Sequence, residues 1–275
     1  MSGKSILITG CSSGIGACVA HGLRTRGHRV FATARKHEDV ERLCREGLEG
    51  IVLDLDDSVS IDGAVLEVLE RTEGTLDALF NNGAYGQPGA VEDLTRDAMR
   101  AQFETNLFGT MELTNRVLPI MRRQGHGRII QNSSVLGLVA MPYRGAYNAS
   151  KFALEGLTDT MRLELRSSGI HVSLIEPGPI ISNFRANAYQ AFKRHIAQQI
   201  SAHQIQYKAM ELRLNAPGPV APFTLPPEAV LRRVIHALES DHPRTRYYVT
   251  VPTHLFGFLR RILPSWLLDK VLRAT

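Results

Sequence analysis

The apolar positions of this chain fall into two alternating rhythms. Ser5–Thr9 (SILIT), Arg29–Ala34 (RVFATA), Gly50–Leu53 (GIVL), Ala78–Phe80 (ALF), Arg128–Ile130 (RII) and His171–Ile175 (HVSLI) are short runs rich in β-branched and apolar residues. Runs of this kind suit strands covered on both faces, as in a parallel sheet. Between them, Ile15–Arg26, Ser60–Thr72, Arg96–Met121, Tyr147–Ser167 and Pro226–Glu239 read as helices, with apolar residues near helical spacing. Strand–helix alternation at this pace builds βαβ units with right-handed crossovers. Arg246–Val251 (RYYVTV) reads as a last edge strand. The expected class is α/β: a doubly wound, mostly parallel sheet of about seven strands with helices on both faces.

Two stretches depart from this rhythm. Residues 183–223 interrupt it with a segment carrying Phe184, Tyr189, Phe192, Ile196, Tyr207, Met210 and Leu214. Residues 252–275 are amphipathic, with Leu255, Phe258, Leu259, Ile262 and Trp266 among Arg260, Arg261, Lys270 and Arg273; Pro264 divides them into two short helices. Such a tail covers a cleft, packs on a second subunit, or makes a peripheral membrane contact. A chain of 275 residues is long for one domain and short for two. No linker or repeat interrupts the pattern before about residue 180, so a single domain over 1–275 is expected.

Composition narrows the field by exclusion. With 44% hydrophobic residues, 21% charged residues and a net charge of +5, the chain is neither disordered nor a small disulfide scaffold. Its Lys and Arg are scattered rather than striped, which argues against nucleic acid. Cys11, Cys18 and Cys44 form no CxxC pair, and no Cys/His spacing fits a metal. His126, His195, His203, His236 and His242 read as solvated imidazoles. No secretory h-region and no long apolar span occur, so a cytoplasmic protein is expected, with 252–275 its candidate for a peripheral membrane contact.

The chemistry begins where the first strand ends, in Thr9-Gly10-Cys11-Ser12-Ser13-Gly14-Ile15-Gly16. A glycine-rich turn between a strand and a helix lets backbone N–H groups approach a pyrophosphate, and the helix N-terminus adds positive potential. At the end of the second strand a carboxylate selects NAD by accepting from the ribose 2′-OH, whereas a cation selects NADP. Here Ala34 holds the acidic position and Arg35 follows it, so NADP(H) is expected. Downstream, Tyr147 and Lys151 stand at i and i+4, on one face of the predicted helix. A free phenol, with a pKa of about 10, is a poor acid–base group at neutral pH, and an adjacent ammonium lowers it.

With its Gly-x3-Gly-x-Gly spacing and Tyr147-Asn148-Ala149-Ser150-Lys151, the chain resembles the short-chain dehydrogenase/reductase family, in its single-domain branch of Rossmann fold. The likeness covers about residues 4–180. It is similar both to bacterial NADP-dependent aldehyde reductases and to the retinol and 17β-hydroxysteroid dehydrogenase branch. The resemblance implies that Gly10, Ser12, Ser13, Gly14, Ile15 and Gly16 form the cofactor turn and that Asp54 and Leu55 flank the adenine. Asn82, Gly83 and Ala84 match the family's Asn-Asn-Ala-Gly segment with the last two residues exchanged, and Pro177, Gly178, Ile180 and Ser182 form the loop over the nicotinamide. It implies a tetrad of Asn106, which holds a water in the proton path, Ser134, which orients the carbonyl, Tyr147, the acid–base, and Lys151, which also holds the ribose. Ser133 is expected to bond backbone instead. Residues 183–223 become the substrate lid, with Val139, Met141, Pro142 and Tyr85 lining the same cleft and Arg144 and Arg185 either meeting an anionic group or facing solvent. The family pairs through long helices corresponding to 96–121 and 147–167, so a homodimer or homotetramer is expected.

These readings converge on hydride transfer between NADP(H) and a carbonyl or alcohol of an apolar substrate: an aldehyde, ketone, retinoid or steroid. The rivals are a non-enzymatic NADP(H)-binding sensor or scaffold, which has little use for a complete tetrad, and a 3-ketoacyl carrier-protein reductase, which needs a basic patch beside the cleft.

Overall fold

Each of the short apolar runs forms a strand. The computed structural model describes residues 3–273; Met1, Ser2, Ala274 and Thr275, which fall within the expected domain and tail, lie outside the described residues. In chain order, β1 (Ser5–Ile8) leads to α1 (Gly14–Thr25), β2 (Arg29–Ala34) to α2 (His37–Arg45), and β3 (Glu49–Val52) to α3 (Ser58–Arg71). Next come β4 (Ala78–Asn81), α4 (Arg96–Phe103) and α5 (Thr110–Gln124), then β5 (Gly127–Asn132), α6 (Gly145–Glu164) and β6 (Ile170–Glu176). After β6 come α7 (Phe184–His195), α8 (Gln204–Asn215), α9 (Glu228–Glu239), β7 (Arg246–Tyr248), α10 (Val251–Ile262) and α11 (Ser265–Arg273).

The strands make one sheet in the order 3-2-1-4-5-6-7, and every neighbouring pair is parallel. Because side chains alternate across a strand, consecutive apolar residues feed two cores. Ile6 and Ile8 belong to the core beneath α1 and α9, with Val19, Leu23, Val230 and Val234. Leu7, Phe31, Leu79 and Ile129 belong to the core beneath α3 and α5, with Ile61, Val65, Leu113 and Val117. A fully buried aliphatic of this kind contributes about 2 kcal/mol by removal from water. The chain leaves β1 and β4, which are neighbours, toward opposite sides of the sheet. Their carboxyl ends therefore border the crevice in which ligands of such folds sit.

Two expectations change. The last strand stops at Tyr248 instead of Val251, because Val251-Pro252 already opens α10, where the missing proline N–H costs nothing. The helix expected over Arg96–Met121 is broken by a π-helical turn, Glu104–Gly109. There the chain runs against the Leu55 backbone, so closely that a Cβ on Gly109 would lie 1.8 Å from the Leu55 carbonyl oxygen.

Candidate active site

The glycine turn is set by contact as much as by backbone angle. Gly10 and Gly14 have φ of +73° and +58°. A Cβ on Gly10 would meet Gly83 Cα at 2.8 Å, and one on Gly16 would meet the Gly10 carbonyl oxygen at 2.2 Å. The Thr9 hydroxyl accepts from the Asn82 and Gly83 amides at 2.9 and 2.8 Å. Asn82 Nδ2 returns bonds to the Thr9 and Gly10 carbonyls at 3.0 and 3.2 Å, and Asn82 Oδ1 accepts from Asn132 at 2.9 Å. The Gly/Ala exchange at Gly83-Ala84 therefore leaves a well-bonded turn. Ser12 presents its carbonyl to Arg42 Nη2 at 2.7 Å, while Ser13 caps α1 without a side-chain bond and Ile15 packs at the edge of the core. With no acidic residue in the first turn of α1, this cradle fits an anionic pyrophosphate.

The flanking positions gather at the same edge. Asp54 donates its amide to Ser60 Oγ at 2.9 Å, and Leu55 packs beneath Gly83. Ala34 is buried at the end of β2 while Arg35 is exposed, and Lys36 is turned away in a 3.1 Å pair with Glu38. Beyond β6, the Pro177 carbonyl accepts from the Val135 amide at 2.8 Å, so the Pro-Gly loop is tied to the serine turn. Gly178 is wedged under Thr250, Ile180 bridges to Leu225, and Ser182 reaches back until its Cβ would lie 2.9 Å from a Cβ on Gly14. Together these segments form one groove whose donors and small residues suit a nicotinamide dinucleotide.

The four catalytic candidates meet at its far end. The π-turn brings Asn106 inside, where it is 1% exposed. Its Oδ1 accepts from the Tyr85 amide at 3.1 Å, and its Nδ2 donates to the Tyr85 carbonyl at 2.9 Å and to Ser150 Oγ at 3.2 Å. Asn106 thus clamps the Tyr85 backbone and reaches α6 through Ser150. Ser134 accepts from the Leu136 amide at 3.1 Å, and its hydroxyl faces the Tyr147 phenol. Lys151 is buried, donating to the Asn132 carbonyl at 2.7 Å with its Nζ 5.7 Å from the centre of the Tyr147 ring.

Burial dominates the electrostatics of this site. Burial pushes the Tyr147 phenol up to about 12, opposed by Ser134 and Arg144. Burial also lowers Lys151 to about 8, opposed by Glu155 one turn further along α6. Desolvation of the phenol thus outweighs its neighbours. Arg144, lowered to about 10 by burial and by Arg213, is a cation that acts on the phenol, and its Nη1 lies 2.9 Å from Met141 Sδ.

Behind Lys151 lies a cluster that the sequence reading missed. Arg246 of β7 donates to Glu155, to Glu176 at 2.6 Å and to Asp159 at 2.7 Å. Glu176 is fully buried, and its second oxygen has no donor among the described residues. Burial and the neighbouring Glu155 push Glu176 up to about 8, against the pull of Arg246. Ser133 faces the Glu155 carboxyl, contrary to the expected backbone bond. Spacing offered a sign for Glu155, at i+4 from Lys151, but Arg246 had none. Arg42 and Asn132 were missed as well; Arg42 was foreshadowed by its spacing from Asp39 and Glu46.

On the substrate side, Phe184 of α7 sits edge-on to the Tyr147 ring with centroids 5.3 Å apart. An open cleft of about 380 Å3 runs beside α7, lined by Ser182, Asn183, Arg185, Tyr189, Gln190 and Leu214. Phe192, Ile196 and Tyr207 pack with Ala90 as a small core of the lid. Val139 belongs instead to the cluster of Phe256 and Leu272, which Met141 and Tyr147 join from the side, while Pro142 is exposed. Arg185 donates to the carbonyls of Arg213 and Ala216, at 3.0 and 2.9 Å, and of Gly218. It caps the end of α8, so it neither meets an anion nor simply faces solvent.

Three histidines expected to be solvated are bonded: His236 to the Tyr247 hydroxyl at 2.8 Å, His126 to Asp77 at 3.1 Å and His203 to Glu92 at 2.5 Å. Among the described residues no three His, Cys, Asp or Glu side chains are grouped to hold a metal, and no helix is long and apolar enough to cross a membrane. The three cysteines are free, and burial pushes the Cys11 and Cys18 thiols up to about 12 and 11.

Residues 4–211 match the family model described as short chain dehydrogenase. The oxidoreductase YbbO of Escherichia coli strain K12 is 44% identical over 271 residues, covering 98% of this chain and 94% of that one. Human 17-beta-hydroxysteroid dehydrogenase type 1 is 33% identical over 262 residues, 91% of this chain and 78% of that one. A crystal structure of a short-chain dehydrogenase from Streptomyces avermitilis superposes with a TM-score of 0.78 at 28% identity, covering 99% and 98% of the two chains.

Proposed function

We propose that this chain, which belongs to the short-chain dehydrogenase family of nicotinamide-dependent oxidoreductases, is specific for NADP(H) and interconverts a carbonyl and an alcohol on an apolar substrate. The observation that carries the reaction is the half-buried Tyr147, whose phenol faces Ser134 with Lys151 Nζ 5.7 Å from its ring centre and is pushed up to about 12 by desolvation. Such a group remains protonated throughout the neutral range, so it is held ready to give its proton to a developing alkoxide.

The bound nicotinamide supplies the hydride in reduction and takes it in oxidation. Ser134 shares a hydrogen bond with the carbonyl oxygen and orients it toward the phenol. Tyr147 transfers its proton to that oxygen. Lys151, lowered to about 8, is still mostly an ammonium at pH 7 and is suited to hold the cofactor's ribose and to return a proton toward Tyr147. Asn106 and Ser150 brace the Tyr85 backbone against α6, which keeps the substrate side of the site in register. Specificity for the 2′-phosphate rests on exposed Arg35 beside buried Ala34. An apolar substrate is supported by Phe184 standing over the phenol and by Met141 beside it.

The test is oxidation of NADPH and of NADH with a panel of medium-chain aldehydes, retinal and steroid ketones. NADPH is expected to be preferred, and Tyr147→Phe to cut turnover about a thousandfold while leaving NADPH binding intact. Full activity in Tyr147→Phe overturns the acid–base assignment, and preference for NADH overturns the role of Arg35.

A further inference from the structure

Helix α10 is apolar on two opposite faces. Thr253, Phe256 and Gly257 turn inward, where Phe256 packs with Val135 and Val139 of the serine turn. On the same side Arg260 donates to the Leu138 carbonyl, with its guanidinium 4.8 Å above the Phe152 ring. This face fastens the helix to the catalytic core. The other face carries Val251, Leu255, Phe258 and Ile262, spaced four, three and four residues apart and so aligned in one stripe. They are 55, 49, 58 and 56% exposed.

The stripe has a basic border. Arg261 flanks it, and on α11 Trp266, 71% exposed, shares its face with Lys270 and Arg273 while Leu272 turns inward. From Pro252 to Arg273, apart from the inward Arg260, three basic residues are opposed by Asp269 alone. A second copy seated symmetrically on this face sets like charges against one another. A bilayer of anionic headgroups instead takes the aliphatic and aromatic side chains below its surface, the tryptophan at the interface and the cations among the phosphates.

We propose that the α10–α11 face docks on an anionic lipid surface. Because α10 rests on the turn that follows Ser134, docking places the catalytic end of the molecule beside the bilayer.

Trp266 is the only tryptophan, so its emission reports on this face without a label. The full chain is mixed with vesicles of phosphatidylglycerol and phosphatidylcholine, and with phosphatidylcholine alone, at low and high salt. Co-sedimentation and a blue shift of Trp266 are expected with the anionic vesicles, both weakened by salt. Lys270→Ala and Arg273→Ala each weaken binding about fivefold. Phe258→Glu weakens it about tenfold or more, with unfolding midpoint unchanged because the site is on the surface. Emission unchanged by anionic vesicles overturns the proposal. So does a concentration-dependent doubling of mass without lipid that Phe258→Glu abolishes, since a second copy then covers the face.

Discussion

Glu176→Gln is expected to stabilise the protein at alkaline pH and to leave it unchanged in mild acid. In the folded chain the carboxyl is fully buried beside Glu155 and titrates at about 8, against 4.5 for an unperturbed glutamate. Between these values the folded state holds a proton that the unfolded state releases, so stability conferred by this group is complete below 4.5 and falls as pH rises toward 8. The slope is about 1.4 kcal/mol per pH unit, which accumulates to several kcal/mol at alkaline pH. Glutamine keeps an acceptor for Arg246, which lies 2.6 Å from Glu176 Oε1, and has no proton to lose. Urea unfolding of the two proteins at pH 4, 7 and 9 measures the difference. The curves should nearly coincide at the lowest pH, and the variant should lead by several kcal/mol at the highest, about 3 or more. If the variant follows the wild-type pH dependence throughout, the carboxyl is not the proton holder and the reasoning fails.

Two further substitutions probe the site from other sides. Gly109→Ala puts a methyl group where the Leu55 carbonyl oxygen stands 1.8 Å away, so it should cost about 3 kcal/mol in urea unfolding and weaken dinucleotide binding by displacing Asp54–Leu55. Arg144→Met removes the cation that counters burial of the phenol; alcohol oxidation at pH 7 should slow about tenfold and the rising limb of its pH profile should move to higher pH, which a rate–pH series checks.

What could be read from the sequence was whatever a single element or turn decides. Gly10, Gly14 and Gly16 lie within one turn, and Tyr147 and Lys151 lie on one face of α6. Their spacing was already a statement about geometry, and the continuous apolar runs were already statements about a sheet covered on both sides. The break in rhythm after residue 180 likewise marked where α7 and α8 leave the sheet. The π-turn was visible only as a polar residue in the middle of a helix, because the contact made there, Gly109 against Leu55, comes from a different strand–helix connection. Arg185 was misread for a related reason: an arginine on a lid resembles an anion-binding group until the carbonyls ending α8 are in place around it.

Proton affinities were the least legible feature, and physics gives the reason. A pKa depends on the water removed and the charges left behind, and both are set by elements far apart in the chain. Arg246 bonds Glu155 and Glu176 across 91 and 70 residues. No local pattern in the strand that carries Arg246 announces those partners. The same holds for Tyr147: the i, i+4 lysine suggests a lowered phenol, yet burial by the lid and the serine turn raises it. A donor in carbonyl reduction has to be protonated at neutral pH, and this direction keeps it so. A phenol kept neutral by desolvation holds its proton until an alkoxide forms beside it, which fits the donor role proposed for Tyr147.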